Sequence, residues 1–475
     1  MLLPDRGHPG IVVAALRGGS GKTILSIGIT AALTRMGYRV APFKKGPDYI
    51  DAGWLALAAG RACYNLDTFL IDPPRILHSY FSHSRGCDLA VIEGNRGLYD
   101  CIDTRGETST AELSKLLKLP VILVIDGTKT TRTMAAVVSG CSRFDPSVRI
   151  RGVVLNRVAG SRHESILRNS IEEHCGIPVM GAIPRFHHQR FPERHMGLVP
   201  TAEHEWATEA VVAAARIAKD HIDIDAILRM ASEGEAAGSQ IHHPVDVVSE
   251  GPAPENRPVI GVIQDSAFQF YYPENLEALE NAGATLARIS PLNREGFPDT
   301  IDALYIGGGF PETHAAELAA NHPFRARVKA LAEDGMPIYA ECGGLMYLGE
   351  RLVLESGTFE MAGVLPLVFG FSSRPQGHGY TLLRVDRRNP YFPVGKELKG
   401  HEFHYSSVLE FGGRESDFAY TMTRGTGLYK GKDGLCFKNV LATYTHLHAL
   451  GTPGWAPALA SAAASYRKQK GRAAG

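Results

Sequence analysis

No stretch of this 475-residue chain approaches the ~18 unbroken apolar residues of a membrane-spanning helix. Nor does its N-terminus carry a charged segment leading into a long apolar one, so the expectation is a cytoplasmic protein with no membrane partner. Cysteine is sparse: seven residues (Cys63, Cys87, Cys101, Cys141, Cys175, Cys342 and Cys436) form an odd, scattered set with no C-x-x-C pair. That excludes a disulfide framework and a structural metal site, and six of the seven read most simply as small buried side chains. Net charge is also lacking, since 50 Lys and Arg balance 50 Asp and Glu. Without a basic block or a zinc spacing, nucleic acid is not an expected partner. What is present is a composition of 44% hydrophobic and 21% charged residues, that of a globular enzyme. At ~150 residues per domain, the length implies two or three domains.

Short apolar runs recur at Ile11–Leu16, Val40–Phe43, Leu89–Glu93, Pro120–Asp126, Gly152–Asn156 and Val179–Ile183, with stretches of helical character between them. Strand–helix alternation of this kind predicts a mostly parallel sheet covered on both faces. From residue 232 to 257 the chain turns polar and rich in Gly and Pro, which reads as a linker. A second alternating series follows at Val259–Gln264, Thr285–Ile289, Ala303–Ile306 and Pro337–Ala340. Beyond Leu365 the segments become shorter and more β-like, as at Leu382–Val385 and Gly400–Leu409. The predicted division is a first domain over 1–231, a second over 258–450, and an Ala-rich tail over 451–475 forming a frayed surface helix.

Two sites stand out. Gly18-Gly19-Ser20-Gly21-Lys22-Thr23 lies between an apolar strand and a helical run, Thr23–Met36, so its backbone N–H groups can converge on phosphate. Lys22 is placed to reach β- and γ-phosphates, and Thr23 to offer its hydroxyl to Mg²⁺. The motif departs from the usual phosphate loop in having Leu16 where the outer glycine should be. Two stretches end neighbouring apolar runs, where ligands collect in open α/β sheets. Lys44-Lys45-Gly46-Pro47-Asp48-Tyr49-Ile50-Asp51 presents cations beside carboxylates, and Glu93-Gly94-Asn95-Arg96 puts a carboxylate at a strand exit. Asp48 and Glu93 are thus candidates to complete an oxygen shell around Mg²⁺.

The second site is built on Cys342, where an apolar strand ends in a thiol and turns at once through Gly343 and Gly344, the layout of a nucleophile elbow. Gly307-Gly308-Gly309 follows another strand, and its unhindered backbone can donate to an oxyanion, with the N–H of Gly343 as a second donor. His446 and His448, two residues apart in a predicted strand, supply a candidate base.

These motifs carry a resemblance. GGSGKT, FKKGPDYIDAGW, VIEGNRGLYD, GVVLNRV and FPERHMGLVPT resemble, in this order, the synthetase half of cobyrinic acid a,c-diamide synthases, relatives of dethiobiotin synthetase. YYPENL, GGGFPE, AECGGLMYL, GHGY, GHEFHYS and TYTHLH resemble the class I glutamine amidotransferase domain found in cobyrinate and cobyrate synthases. The resemblance implies an α/β protein with an N-terminal P-loop NTPase-type parallel-sheet domain and a C-terminal flavodoxin-like amidotransferase domain. It implies ATP binding by Lys22 with Gly19, Ser20, Gly21, Thr23 and Lys44, adenine contact by Asn156, and Mg²⁺ held by Thr23, Asp48 and Glu93. It agrees with Cys342 and His446 as nucleophile and base and with Gly308, Gly309 and Gly343 around the oxyanion; Arg17 and Arg96 depart from the family's pattern, and Arg96, a guanidinium in a loop after a strand, is with Tyr49 a candidate contact for the acidic acceptor. In the wider class the base lies in H-P-E; here that triplet is His446-Leu447-His448, which leaves the third member of the triad open.

The implied chemistry is ATP- and glutamine-dependent amidation of the a and c acetate arms of a tetrapyrrole polycarboxylate, cobyrinic acid or its hydrogenated precursor. Sirohydrochlorin, its nickel chelate and sirohaem carry equivalent arms and stay open as acceptors. Arg17-Gly18-Gly19-Ser20-Gly21-Lys22-Thr23 also approaches the loop of dimeric partitioning and metal-insertion ATPases, a switch reading that needs no thiol. A homodimer is compatible with all of these.

Overall fold

The computed structural model describes residues 8–185, 193–194, 197–198, 206–232, 257–293 and 296–473. Nearly all of the expected linker and most of the FPERHMGLVPT motif lie outside the described residues. The chain divides into two compact units, 1–243 and 244–475.

The first unit is built on seven strands: β1 (Gly10–Ala15), β2 (Val40–Lys45), β3 (Tyr64–Leu66), β4 (Leu89–Glu93), β5 (Val121–Asp126), β6 (Ile150–Val158) and β7 (Val179–Pro184). They pair in the order β3-β2-β4-β1-β5-β6-β7, all parallel. Runs such as GIVVAA are buried at every position because helices cover both faces of such a sheet. The helices are α1 (Lys22–Arg35), α2 (Tyr49–Ala59), α3 (Pro73–Ser84), α4 (Thr110–Leu117), α5 (Thr133–Phe144), α6 (Ser161–Cys175), α7 (Ala207–His221) and α8 (Ile224–Ser232). A two-residue pair, β8 (Glu193–Arg194) with β9 (Gly197–Leu198), precedes α7. Helices α1 and α7 cross closely enough that a Cβ on Gly28 would come within 2.6 Å of the Ala214 carbonyl. Chain order reverses at β1, where β2 and β4 lie to one side and β5 to the other. Ligands collect at such a switch point.

The second unit holds a ten-stranded mixed sheet in the order β11-β10-β12-β13-β22-β21-β20-β17-β18-β23. Its parallel part consists of β10 (Val259–Ile263), β11 (Thr285–Ile289), β12 (Ala303–Ile306), β13 (Ile338–Glu341) and β22 (Val440–Thr443). The antiparallel part adds β17 (Gly377–Val385), β18 (Glu397–His404), β20 (Phe418–Arg424), β21 (Lys432–Phe437) and β23 (His446–Leu447). A smaller sheet contains β14 (Arg351–Leu354), β15 (Gly357–Glu360), β16 (Leu367–Phe371) and β19 (Ser406–Phe411). Helices α9 (Pro273–Asn281), α10 (Ala315–Ala320), α11 (His322–Glu333), α12 (Gly343–Leu348) and α13 (Trp455–Ala473) complete it.

The tail differs from expectation. Rather than fraying on the surface, α13 buries Trp455, Ala456, Leu459, Ala460 and Ala463 in the core. The Trp455 ring packs edge-on against Tyr305 and Tyr339, at 5.1 and 5.3 Å between centroids. Its small alanines allow close approach to the sheet, so a composition that reads as a weak surface helix serves as a core-facing one. Among the described residues no helix is long and apolar enough to cross a membrane.

Candidate active site

In the first unit, the loop after β1 delivers Lys22 as the opening residue of α1, with Gly21 as its N-cap in the left-handed region at φ 92°. Asn156, from β6, donates through Nδ2 to the Ser20 carbonyl at 2.9 Å, and a Cβ on Gly21 would lie 2.2 Å from that nitrogen. Glycine is therefore required there on both counts. Asn156 Oδ1 accepts from the N–H of the next residue, Arg157, at 2.9 Å, so the amide expected to meet adenine is fixed on its own strand and braces the loop through Nδ2. It also lines, with Gly21 and Ile183, a groove of about 1200 Å³ that includes residues of α1 and α7.

Lys44 and Glu93 sit opposite each other on neighbouring strands β2 and β4, so their side chains emerge on the same face of the sheet. Lys44 Nζ lies 3.0 Å from Glu93 Oε1 and 2.8 Å from Asp51 Oδ2. Thr23 Oγ1 donates to Glu93 Oε1 at 2.7 Å and approaches Asp51 Oδ2 at 3.3 Å. Burial works against the charge on Lys44, but Asp51, Glu93 and Asp48 outweigh it and hold its pKa above the ordinary lysine value. Burial raises the Glu93 carboxyl, with Lys44 opposing and Asp51 adding to the rise. For Lys22, burial and then the charge of Lys44 lower the pKa. Two buried cations, Lys22 at the N-terminus of α1 and Lys44 at the end of β2, beside the Glu93 carboxylate, form a receptor for a polyphosphate and its counter-ion.

Among the described residues no three His, Cys, Asp or Glu side chains form a metal cage. Mg²⁺ does not need one, because it keeps waters and takes one or two carboxylates beside substrate phosphates. Glu93 Oε2 is buried without a hydrogen-bond partner, and Thr23 Oγ1 and Asp51 Oδ2 are nearby hard oxygens, so the residues fit that ion. Asp48 Oδ1 caps α2 by accepting from the N–H groups of Ile50 and Asp51 at 2.9 and 3.0 Å, while its charge still acts on Lys44. Asp51, three residues on in the same motif, is the carboxylate that reaches Thr23, and sequence reasoning passed over it. Tyr49 opens α2 and is half-buried, while Arg96 is exposed in the loop after β4 with φ 52°.

In the second unit, β13 ends at Glu341, and Cys342 turns the chain into α12 with φ 46° and ψ −96°. A positive φ on a side chain of this size is strained, as an elbow residue is. The thiol is buried, which raises its pKa; the charge of Glu312 adds to the rise and a hydrogen bond from Gly343 opposes it. The glycine loop after β12 packs directly on the elbow, since a Cβ on Gly343 would lie 2.9 Å from the Gly309 nitrogen. His446 faces the same loop: a Cβ on Gly308 would meet its Cε1 at 2.5 Å and its Nε2 at 3.3 Å. Cys342, Gly343, Gly308, Gly309 and His446 are thus brought together from three separate stretches of chain. His448 is directed to another carboxylate, with Nε2 3.5 Å from Glu274 Oε1. A second residue missed in the sequence is Glu341, fully buried, whose Oε2 lies 3.5 Å from His446 Nδ1.

Two family models match the chain, the CobQ/CobB/MinD/ParA nucleotide binding domain over residues 11–199 and the CobB/CobQ-like glutamine amidotransferase domain over 259–453. The cobyrinate a,c-diamide synthase of Magnetococcus marinus is 43% identical over 453 residues, covering 95% of this chain and 96% of that protein. That of Archaeoglobus fulgidus is 41% identical, covering 93% and 94%, and that of Methanosarcina acetivorans 39%, covering 97% of each. A nucleotide-binding unit and an amidotransferase unit in one polypeptide, similar almost end to end to these enzymes, place the chain in the cobyrinate a,c-diamide synthase family.

Proposed function

We propose that the enzyme amidates the a and c acetate arms of cobyrinic acid in the cytoplasm, using ATP and the amide nitrogen of glutamine. The observation that carries this reading is the joint presence of the Lys22–Lys44–Glu93 cluster and the Cys342–His446 elbow in one chain. In the second unit, His446 takes the thiol proton and Cys342 Sγ attacks the side-chain amide carbon of glutamine. The N–H groups of the glycine loop and Gly343 receive the oxyanion. The C–N bond breaks, ammonia leaves, and water clears the glutamyl thioester. In the first unit, a carboxylate oxygen of the macrocycle attacks the γ-phosphorus of ATP and ADP departs, leaving an acyl phosphate. Ammonia then attacks the acyl carbon and expels phosphate. Lys22 and Lys44 stabilise the charge spread over the transferring group. Thr23, Glu93 and Asp51 would hold Mg²⁺, which supplies charge neutralisation between the phosphates.

Incubation with ATP, glutamine and a panel of tetrapyrroles, followed by product mass, tests the acceptor. Two mass steps on cobyrinic acid and none on sirohydrochlorin support the reading, and the reverse pattern transfers it to the sirohaem-type acceptors. The switch-ATPase alternative accounts for neither the second unit nor the elbow.

Two variants probe the halves separately. Arg96 stands at the exit of β4, where a guanidinium can clamp a carboxylate arm with paired hydrogen bonds. Arg96→Ala is expected to raise KM for the tetrapyrrole about tenfold or more, at ~1.5–3 kcal/mol for a charged hydrogen bond, with KM for ATP little changed. A selective rise in KM for ATP would move Arg96 to the phosphate side. In the second unit, Gly308→Ala forces a methyl group into the His446 ring. Steady-state glutamate release should fall by about 100-fold, the scale of a displaced catalytic group, while ammonium-supported amidation is unaffected.

A further inference from the structure

We infer that Glu341, the residue immediately before the nucleophile, is the third member of the glutaminase triad, acting as a positioning residue through His446. Sequence position favours His448, which occupies the place after the base, but that imidazole is engaged with Glu274 at 3.5 Å and leans on the Tyr272 ring at 4.6 Å. Glu341 instead has Oε2 3.5 Å from His446 Nδ1. The Cε1–Nε2 side of the same ring faces Gly308 in the loop that packs on the elbow. One imidazole is therefore held between a carboxylate on Nδ1 and the reaction site on Nε2, the division a base needs if it is to accept a proton at Nε2.

The carboxylate is itself held in place. Oε1 accepts from the Leu447 N–H at 3.0 Å and from the Tyr339 hydroxyl at 3.1 Å, and Oε2 accepts from the Tyr305 hydroxyl at 3.4 Å. Leu447 follows the base directly, so one carboxylate fixes both the backbone beside His446 and its ring. Asn275 continues the network, donating to Tyr305 Oη at 3.2 Å and to the Leu447 carbonyl at 2.9 Å. On its other face His446 stacks on His401, with ring centroids 4.9 Å apart and planes at 19°, which blocks rotation out of the productive plane. A carboxylate at the end of β13 replaces the one that the wider class carries after its histidine. It approaches His446 Nδ1 from the nucleophile's strand.

The inference rests on the glutaminase reading of Cys342, so Cys342→Ala is measured in parallel. Glu341→Gln keeps shape and size but cannot hold the charged imidazole that forms when the thiol is deprotonated. It is expected to lower kcat for glutamate release by roughly 100-fold or more, with KM for glutamine within about threefold and ammonium-supported amidation intact. Glu341→Asp should recover part of kcat, and Glu274→Gln should leave kcat within about threefold. Glutamate release surviving in Cys342→Ala would overturn the glutaminase reading itself. With Cys342→Ala inactive, a near-normal kcat in Glu341→Gln, or a larger loss in Glu274→Gln, would overturn the role of Glu341. Should Glu341→Gln lose its fold, judged by its thermal melt, Glu341→Asp decides. A folded aspartate variant with wild-type kcat and an unchanged pH profile contradicts the proposal, and a reduced kcat with a shifted profile supports it.

Discussion

Replacing Cys342 with alanine is expected to abolish glutamine-supported amidation, a fall of roughly 10⁴-fold or more for loss of a catalytic nucleophile, and to leave ammonium-supported amidation near wild type. In the proposed mechanism the thiol has one task, to carry the glutamyl group while nitrogen leaves, and the six remaining cysteines are free thiols elsewhere in the chain. In the proposed mechanism acyl phosphate formation draws on Lys22, Lys44 and Glu93, all in the first compact unit, whereas Cys342 belongs to the second. Removing the thiol therefore takes away the nitrogen supply without touching the activation of the acceptor. Product formation with glutamine and with high ammonium, measured on the same preparation, checks this. Failure of ammonium to rescue a folded Cys342→Ala enzyme would show that the two steps are not separable as described.

Lys22→Ala is expected to remove amidation with either nitrogen source. Lys22 is buried at the start of α1, and Lys44 is already committed to Asp51 and Glu93 at 2.8 and 3.0 Å. No other cation of the loop stands in its place: Arg17 is exposed and directed to Asp126 at 3.6 Å. Losing a cationic clamp on a transferring phosphoryl group costs ~3–7 kcal/mol of transition-state stabilisation, or about 10²–10⁵ in rate. Glutamate release should persist, uncoupled from product. Ammonium-supported turnover close to wild type in this variant would remove Lys22 from the site.

What could be read in advance, and what could not, follows from the range of the interactions. The strand–glycine loop–helix at Gly18–Thr23 and the elbow at Cys342 are local signals, because a few consecutive residues set the turn and the chemistry together. Asp48 and Asp51 share one motif, and only the cap geometry of α2 decides which carboxylate turns back on its own helix and which reaches Thr23. Glu341 is legible only through Tyr305, Tyr339 and His446, partners that the sheet assembles from three strands. The fate of α13 likewise depends on Trp455 meeting tyrosines more than a hundred residues earlier in the chain, and alanine composition carries no trace of that. The antiparallel half of the large sheet is legible as a change toward short β-like segments, but its order, with β17 between β18 and β20, is a matter of long-range pairing.

The measurement that bears most directly on the account is the fate of nitrogen-15 from amide-labelled glutamine in a reaction with ATP, cobyrinic acid and the wild-type enzyme. Both new amides of the a,c-diamide should carry the label, with ADP and glutamate formed alongside. ATP and glutamine consumed with no labelled nitrogen in the macrocycle would contradict the account.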